Sequence, residues 1–348
     1  MKKRNINIDL IKCIAIFSVI SVHFFLNTEF YKVKIVGSNL YLGVFFRTIF
    51  MVCVPLFIIA TGYLMKNKSL NKKYYLGIFK VLIVYLLCVL LYLFYNSIIN
   101  GTAFNIKFII KRILAFNTGY SWYVEMYLGL FLIIPFINLI YNNLKSKKHK
   151  QLLLLTMLIM TSFQGAYNSK YLLIPDWWID MYPLTYYFIG CYLREYKINL
   201  NKYLNIFYFV LVIALSGVIN ICFSHDKLFV WGVHNDWGSI FNLLSSTLLF
   251  IFILNLNLDK IPVVLKKIIT RVSELSLGIY LVSSIVDNLL YAHCFKNIIR
   301  FSINGYLGII PFVLIISTCL SIIIYYIYEL IDKYILRRIL LKLNYLLI

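Results

Sequence analysis

Charge is what this sequence has least of. Only 14% of its 348 residues are Asp, Glu, Lys or Arg, where a soluble globular chain carries about 25%. Acidic residues are the scarcer kind, 13 against 34 basic ones. No C-x-x-C and no Cys/His spacing of a metal site occurs, so the reading includes neither a metal nor a bound cofactor. Cys13, Cys53, Cys88, Cys191, Cys222 and Cys319 fall in or at the ends of apolar runs and Cys294 in a loop, as packed thiols do. No small-residue cleavage site follows the basic start, which excludes a cleaved leader. Neither an internal repeat nor a separate soluble stretch is visible. What is abundant is apolar surface: 62% of residues are hydrophobic, 18% are aromatic, and the mean hydropathy is +0.84. The chain reads as an all-α polytopic membrane protein forming one integral-membrane domain over residues 1–348, with the bilayer as its solvent.

Ten apolar runs are candidate spans: 8–26, 41–65, 75–99, 121–142, 151–163, 181–193, 203–223, 238–256, 273–291 and 305–331. The runs 151–163 and 181–193 hold 13 residues each, short of the roughly 20 that cross hydrocarbon. They are extended, tilted or partly re-entrant, and if they instead form one broken hairpin the span parity stays even. A net charge of +21 could signal a nucleic-acid partner. The basic residues instead cluster between spans, as cytoplasmic loops do, and no nucleic acid is implied. With the N-terminus inside, 22 Lys and Arg fall in inner segments, 9 in outer ones, and Lys12, Arg47 and Lys80 within spans. Both termini are therefore expected in the cytoplasm, with the protein multi-pass in the cell membrane. Residues 100–120 contain Ile106, Ile109, Ile110 and Ile113 at helical spacing, an amphipathic helix for the outer surface.

The first span is unusual. "NIDLIKCIAIFSVISVHFF" carries Asp9, Lys12 and His23, although a charge at the bilayer centre costs about 2.5–3.5 kcal/mol on insertion scales. At 100° per residue, Lys12 and His23 are about 20° apart, and Asp9 lies within about 60° of both. Along the axis Lys12 and His23 are about 16 Å apart. Snorkelling would explain Lys12 alone, and an interfacial position His23 alone. A shared face ties them into one polar stripe.

Here the sequence resembles the membrane-bound acyltransferase 3 family, whose first helix carries a basic residue, ten residues and then His after an upstream "R…D". "RNINIDLIKCIAIFSVISVHFF" has that layout with Arg4, Asp9, Lys12 and His23. "VPLFIIATGYLMK", "SWYVEMYLGLFLIIPF", "YPLTYYFIGCYL" and "SLGIYLVSS" are similar to further family segments, in the same order. There are departures. Lys12 stands for the usual Arg, a point charge in place of a bidentate fork. The R-x-x-R after the second span survives only as Gly77 and Lys80, Ser283 stands where many members have His, and no esterase-like domain follows span ten.

Given the expected orientation, Asp9, Lys12, Lys80, Arg271, Glu274 and Glu329 form an inner layer, and His23, Arg47, Glu125 and Asp287 an outer one. Inner cations suit the phosphates of a donor such as acyl-CoA. The unperturbed imidazole value of about 6.5 suits general-base work, which makes His23 the candidate base, with Glu125 preferred over Asp287 to orient it. Arg47 is either an acceptor contact or a snorkelling interfacial residue. Trp122, Trp177, Trp178, Trp231 and Trp237 all fall on the outer side, where a generic belt would occupy both interfaces. Trp122, Trp177 and Trp178 are thus candidates for an acceptor groove.

The resemblance implies transfer of an acyl group, most simply acetyl, from cytoplasmic acyl-CoA to a hydroxyl on an extracytoplasmic glycan. His23 and Glu125 are then catalytic, Lys12, Asp9, Lys80 and Arg271 bind the donor, and Trp122, Trp177, Trp178 and Arg47 the acceptor. A transporter exporting a glycan or small acid is the alternative. It calls for inverted repeats and broken spans in matching halves, toward which only Pro183 leaves room. An inactive scaffold is the third reading.

Overall fold

A computed structural model describes residues 4–101, 105–114, 121–164, 174–294 and 301–336. Lys2, Lys3, Lys170, Lys296, Arg300, Arg337, Arg338 and Lys342, which entered the charge argument, lie outside the described residues. Among the described residues the chain is all-helical apart from one isolated bridge between Ile35 and His225. Seven helical segments are long and apolar enough to cross a membrane: 6–27, 38–65, 72–99, 122–143, 202–224, 263–292 and 303–334. The helices are α1 (Ile6–Asn27), α2 (Ser38–Phe50), α3 (Cys53–Met65), α4 (Lys72–Leu76), α5 (Ile78–Asn100), α6 (Ile106–Leu114), α7 (Trp122–Asn143), α8 (Lys147–Thr161), α9 (Tyr182–Glu195), α10 (Lys202–Ser224), α11 (Ile240–Leu254), α12 (Val263–Leu289) and α13 (Ile303–Ile331). The remaining runs, 151–163, 181–193 and 238–256, become α8, α9 and α11, helices of 14 to 15 residues. Pro183 sits in the first turn of α9, so it starts that helix and does not break a span. Helix α12 begins ten residues ahead of its apolar run, which puts Lys266, Lys267 and Arg271 on its first turns.

The second span is a single segment with a break. Pro55 has no N–H to give the Met51 carbonyl, so α2 ends at Phe50 and α3 restarts at Cys53. Arg47 stands in the last turn before that break.

Two compact units make up the chain. The first contains Met1–Leu70, Ile133–Ser273 and Phe295–Ile310. Its centre is the crossing of α3 and α9, where Gly62 and Gly190 bring two backbones into contact. A Cβ on Gly62 would collide with the Tyr187 carbonyl, and one on Gly190 with the Ile59 carbonyl. Small residues at such crossings are how membrane helices approach closely. Asn138 fastens α7 to the end of α3 by donating to the Met65 and Lys68 carbonyls, each at 2.8 Å, and accepts from Tyr187 Oη at 2.7 Å.

The second unit contains Asn71–Leu132, Glu274–Cys294 and Pro311–Ile348. Tyr74 stacks on Phe131 at 4.4 Å and donates to the Phe131 carbonyl at 2.6 Å. Ser321 on α13 donates to the Leu275 carbonyl of α12 at 3.1 Å. The amphipathic segment is helical as its spacing predicts, with Ile106 and Ile110 exposed and Tyr85 Oη donating to the Arg112 and Ile113 carbonyls.

Candidate active site

Helix α1 runs without interruption from Ile6 to Asn27, so the angular arithmetic that puts Asp9, Lys12 and His23 on one side applies along its whole length. Its first turn is tied down by side chains. Asn5 Oδ1 caps the helix by accepting from the Asn7 N–H at 3.0 Å. Asn7 Nδ2 donates to the Ile253 and Leu256 carbonyls at 2.7 and 2.8 Å, fixing α1 to the end of α11. Arg4 then folds back over the turn: Nε donates to Asp9 Oδ2 at 2.6 Å and Nη2 to Oδ1 at 2.9 Å. Ser273 Oγ adds a third hydrogen bond to Oδ1 at 2.7 Å, and Arg4 Nη2 also reaches the Thr270 carbonyl at 3.2 Å. Asp9 is buried and its charge is held by a bidentate fork. The "R…D" layout is thus a structural clamp between α1 and α12. Lys12, one turn further along α1, is half-buried.

Near the other end of α1, His23 is buried. Its neighbours Phe24 and Phe25 are fully enclosed; Phe25 stacks on Phe301 at 5.3 Å and Phe24 meets Tyr306 edge-on at 5.4 Å. Ser21 Oγ and Tyr306 Oη share a hydrogen bond of 2.8 Å. Burial of His23 limits the access of water, the condition under which an imidazole's proton transfers are not short-circuited by solvent.

The same end carries Arg47, which does not snorkel: it is 0% exposed. Its Nε donates to Tyr31 Oη at 2.9 Å, and the guanidinium lies 4.4 Å from the ring centres of both Phe229 and Trp231. Burial pushes the Tyr31 phenol above its ordinary range, outweighing the neighbouring positive charge. The segment after α10 is shaped to supply these rings. Asn235 Nδ2 donates to the Val230 carbonyl and to Asn220 Oδ1, each at 2.9 Å, and Asn235 Oδ1 accepts from the Gly232 N–H at 3.2 Å. His234, in the same loop, tilts against Phe223 at 4.6 Å. Its pKa is held below the usual imidazole value, first by burial and second by the charge of Arg47.

The remaining sequence candidates are more scattered. Arg271 is exposed on the first half of α12. Trp177 is 70% exposed and Trp178 half-buried in the short helix Asp176–Met181. Lys80, Glu125 and Trp122 belong to the second unit. There Lys80 lies 5.2 and 5.7 Å from the rings of Tyr325 and Tyr328, and Glu125 is exposed in the first turn of α7. Among the described residues no three His, Cys, Asp or Glu side chains come together as metal ligands would. Sequence reasoning gave Tyr31, Phe229 and His234 no role and placed Trp231 only on the outer side. The available signal was a dense run of aromatic and polar residues after α10.

An acyltransferase domain is matched over residues 5–326, nearly the whole chain, including both ends of α1 and the Arg47 surroundings. The chain belongs to the acyltransferase 3 family. It is also similar, at 25% identity over 340 residues, to proteins named "Probable poly-beta-1,6-N-acetyl-D-glucosamine export protein" from Staphylococcus aureus strains Mu50, MSSA476 and MRSA252. Each alignment covers 92% of this chain and 93% of the relative. No solved structure matches the chain. With its seven apolar helices, this acyltransferase 3 member is a multi-pass membrane protein.

Proposed function

We propose that this acyltransferase 3 member is a cell-membrane O-acyltransferase that moves an acyl group, most simply acetyl, from cytoplasmic acyl-CoA to a hydroxyl of an extracytoplasmic polysaccharide. The observation that carries the reading is α1: one unbroken helix with a clamped charge cluster at its start and a buried histidine about 16 Å beyond Lys12. In this reading both termini are cytoplasmic, α8, α9 and α11 complete ten crossings, and Lys12 takes a phosphate of the donor. Arg271 adds positive potential on that side. Asp9, held by Arg4, fixes the α1 start against α12 so that Lys12 keeps its place. His23 removes the proton of the acceptor hydroxyl as its oxygen attacks the thioester carbonyl; the carbon–sulfur bond breaks and CoA leaves as the thiol after taking up a proton. Alternatively the imidazole carries the acyl group between the two. Trp177 and Trp178 line the acceptor's approach.

Labelled acetyl-CoA supplied to membrane vesicles tests this: label should appear on surface polysaccharide and vanish in a deletion strain. The names of the Staphylococcus aureus relatives favour export as the second reading. Polysaccharide that stays inside the deletion strain, with acylation of the residual exported material unchanged, would establish it. A cysteine at position 236 should be labelled from outside intact cells; labelling only after permeabilisation would reverse the orientation.

A further inference from the structure

The Arg47 surroundings are built for an anionic group, a feature that acyl transfer to a hydroxyl does not by itself require. Aromatic rings stabilise a guanidinium through its faces. Its N–H bonds point outward in its own plane and need acceptors there. The guanidinium carbon is 4.4 Å from the ring centres of Phe229 and Trp231 and Tyr31 accepts from Nε, yet neither Nη1 nor Nη2, both buried, reaches a hydrogen-bond acceptor among the described residues. Nor does any carboxylate among the described residues meet Nη1 or Nη2 of Arg47. A buried cation with its fork unused is costly unless an anion completes it. The fork matches a carboxylate or phosphate, two oxygens side by side.

Access is also provided. Trp231, which covers the guanidinium, is 52% exposed and stacks on Tyr31 at 5.0 Å. It lies on the loop that Asn235 organises, the solvent-facing side of the guanidinium's surroundings.

We propose that Arg47 is an oxyanion-binding residue whose Nη1–Nη2 edge receives a carboxylate or phosphate group of the acceptor, entering past Trp231. The anion site stands on the geometry alone; its assignment to the acceptor rests on the acyl-transfer reading. The acceptor class is thereby narrowed to an acidic glycan, a uronic-acid or phosphate-substituted one.

Tryptophan fluorescence of the full chain purified in detergent tests this at constant ionic strength, with sodium glucuronate, sodium phosphate and neutral N-acetylglucosamine as probes. The two anions should give a saturable change and the neutral sugar none. Arg47→Gln should weaken the anion response at least tenfold, while Arg47→Lys keeps part of it. Trp231→Phe should lose the fluorescence signal but still show an anion-dependent rise in melting temperature, which covers the case in which Arg47→Gln does not fold. No saturable response to either anion, or an unchanged response in Arg47→Gln, overturns the proposal. A lipid source is separated by nanodiscs of phosphatidylcholine with and without phosphatidylglycerol. A response to phosphatidylglycerol but not to glucuronate or phosphate overturns the acceptor assignment. Anion binding without acetyl transfer in vesicles keeps the site and removes the acyltransferase reading; transfer without anion binding does the reverse.

Discussion

Gly62 of α3 and Gly190 of α9 face each other, and each occupies a place where the other helix's backbone fills the space of a Cβ. Alanine is ordinarily worth about 1 kcal/mol more than glycine inside a helix, but overpacking costs about 1–3 kcal/mol and more when backbones must part. Gly62→Ala and Gly190→Ala should therefore each lower the melting temperature by several degrees. Gly129→Ala, with open space around it, should not. Equal melting temperatures for all three would show that the crossing yields freely.

The Arg4–Asp9 clamp is asymmetric: the Arg4 side chain is 46% exposed and that of Asp9 only 7%. Removing Arg4 leaves a buried carboxylate without its fork, whereas removing Asp9 frees a guanidinium that water can reach. Breaking a fully buried pair costs about 3–5 kcal/mol; with Arg4 half in solvent, about 2–3 is expected for Arg4→Ala. Asp9→Asn should cost less, and the double variant less than Arg4→Ala alone. Denaturant titration of the three variants checks the order. A double variant no more stable than Arg4→Ala would mean the carboxylate is not the destabilising group.

For the donor, Lys12→Ala should raise the KM for acetyl-CoA in the vesicle assay with little loss of kcat at saturation. Lys12→Arg should keep or lower that KM, because a fork grips phosphate at least as well as a point charge. An unchanged KM in Lys12→Ala would make Lys12 an anchor for α1.

His23→Ala should abolish transfer at normal membrane abundance, since loss of general-base help costs about 10²–10⁴-fold. His23→Gln keeps hydrogen bonding but cannot take the proton, and should be equally inactive. Near-parental activity in His23→Gln would make His23 a packing residue.

His234 sets a pH dependence of stability. Its folded-state pKa is depressed, by burial first and by Arg47 second, so the unfolded chain binds its proton more readily. The resulting stability is complete above the ordinary imidazole value of about 6.5 and is lost as pH falls through the depressed folded value. The melting temperature should drop between neutral and mildly acidic pH, and His234→Asn should flatten that drop. Arg47→Gln, by removing one cause of the shift, should flatten it partly. Identical pH profiles for His234→Asn and the parent would assign the acid sensitivity to another group.

Composition and periodicity by themselves determined that this chain is helical and lives in a bilayer, because scarce charge and long apolar runs admit little else. They also determined the stripe on α1, since residues within one helix are placed by its fixed turn and rise, and the order of motifs carried the family. The pairing of Arg4 with Asp9 was not legible, because Arg4 lies ahead of the helix cap, where no fixed turn and rise places it. The fate of Arg47 was not legible. Its partners Tyr31, Phe229 and Trp231 come from two loops far apart in the chain, and only the folding of the Asn235 loop against α10 brings them together. Sequence alone left Arg47 free to snorkel, as an isolated helix would allow. Tyr31, Phe229 and Trp231 enclose it instead, because burial is a property of neighbours and no local pattern encodes which neighbours arrive.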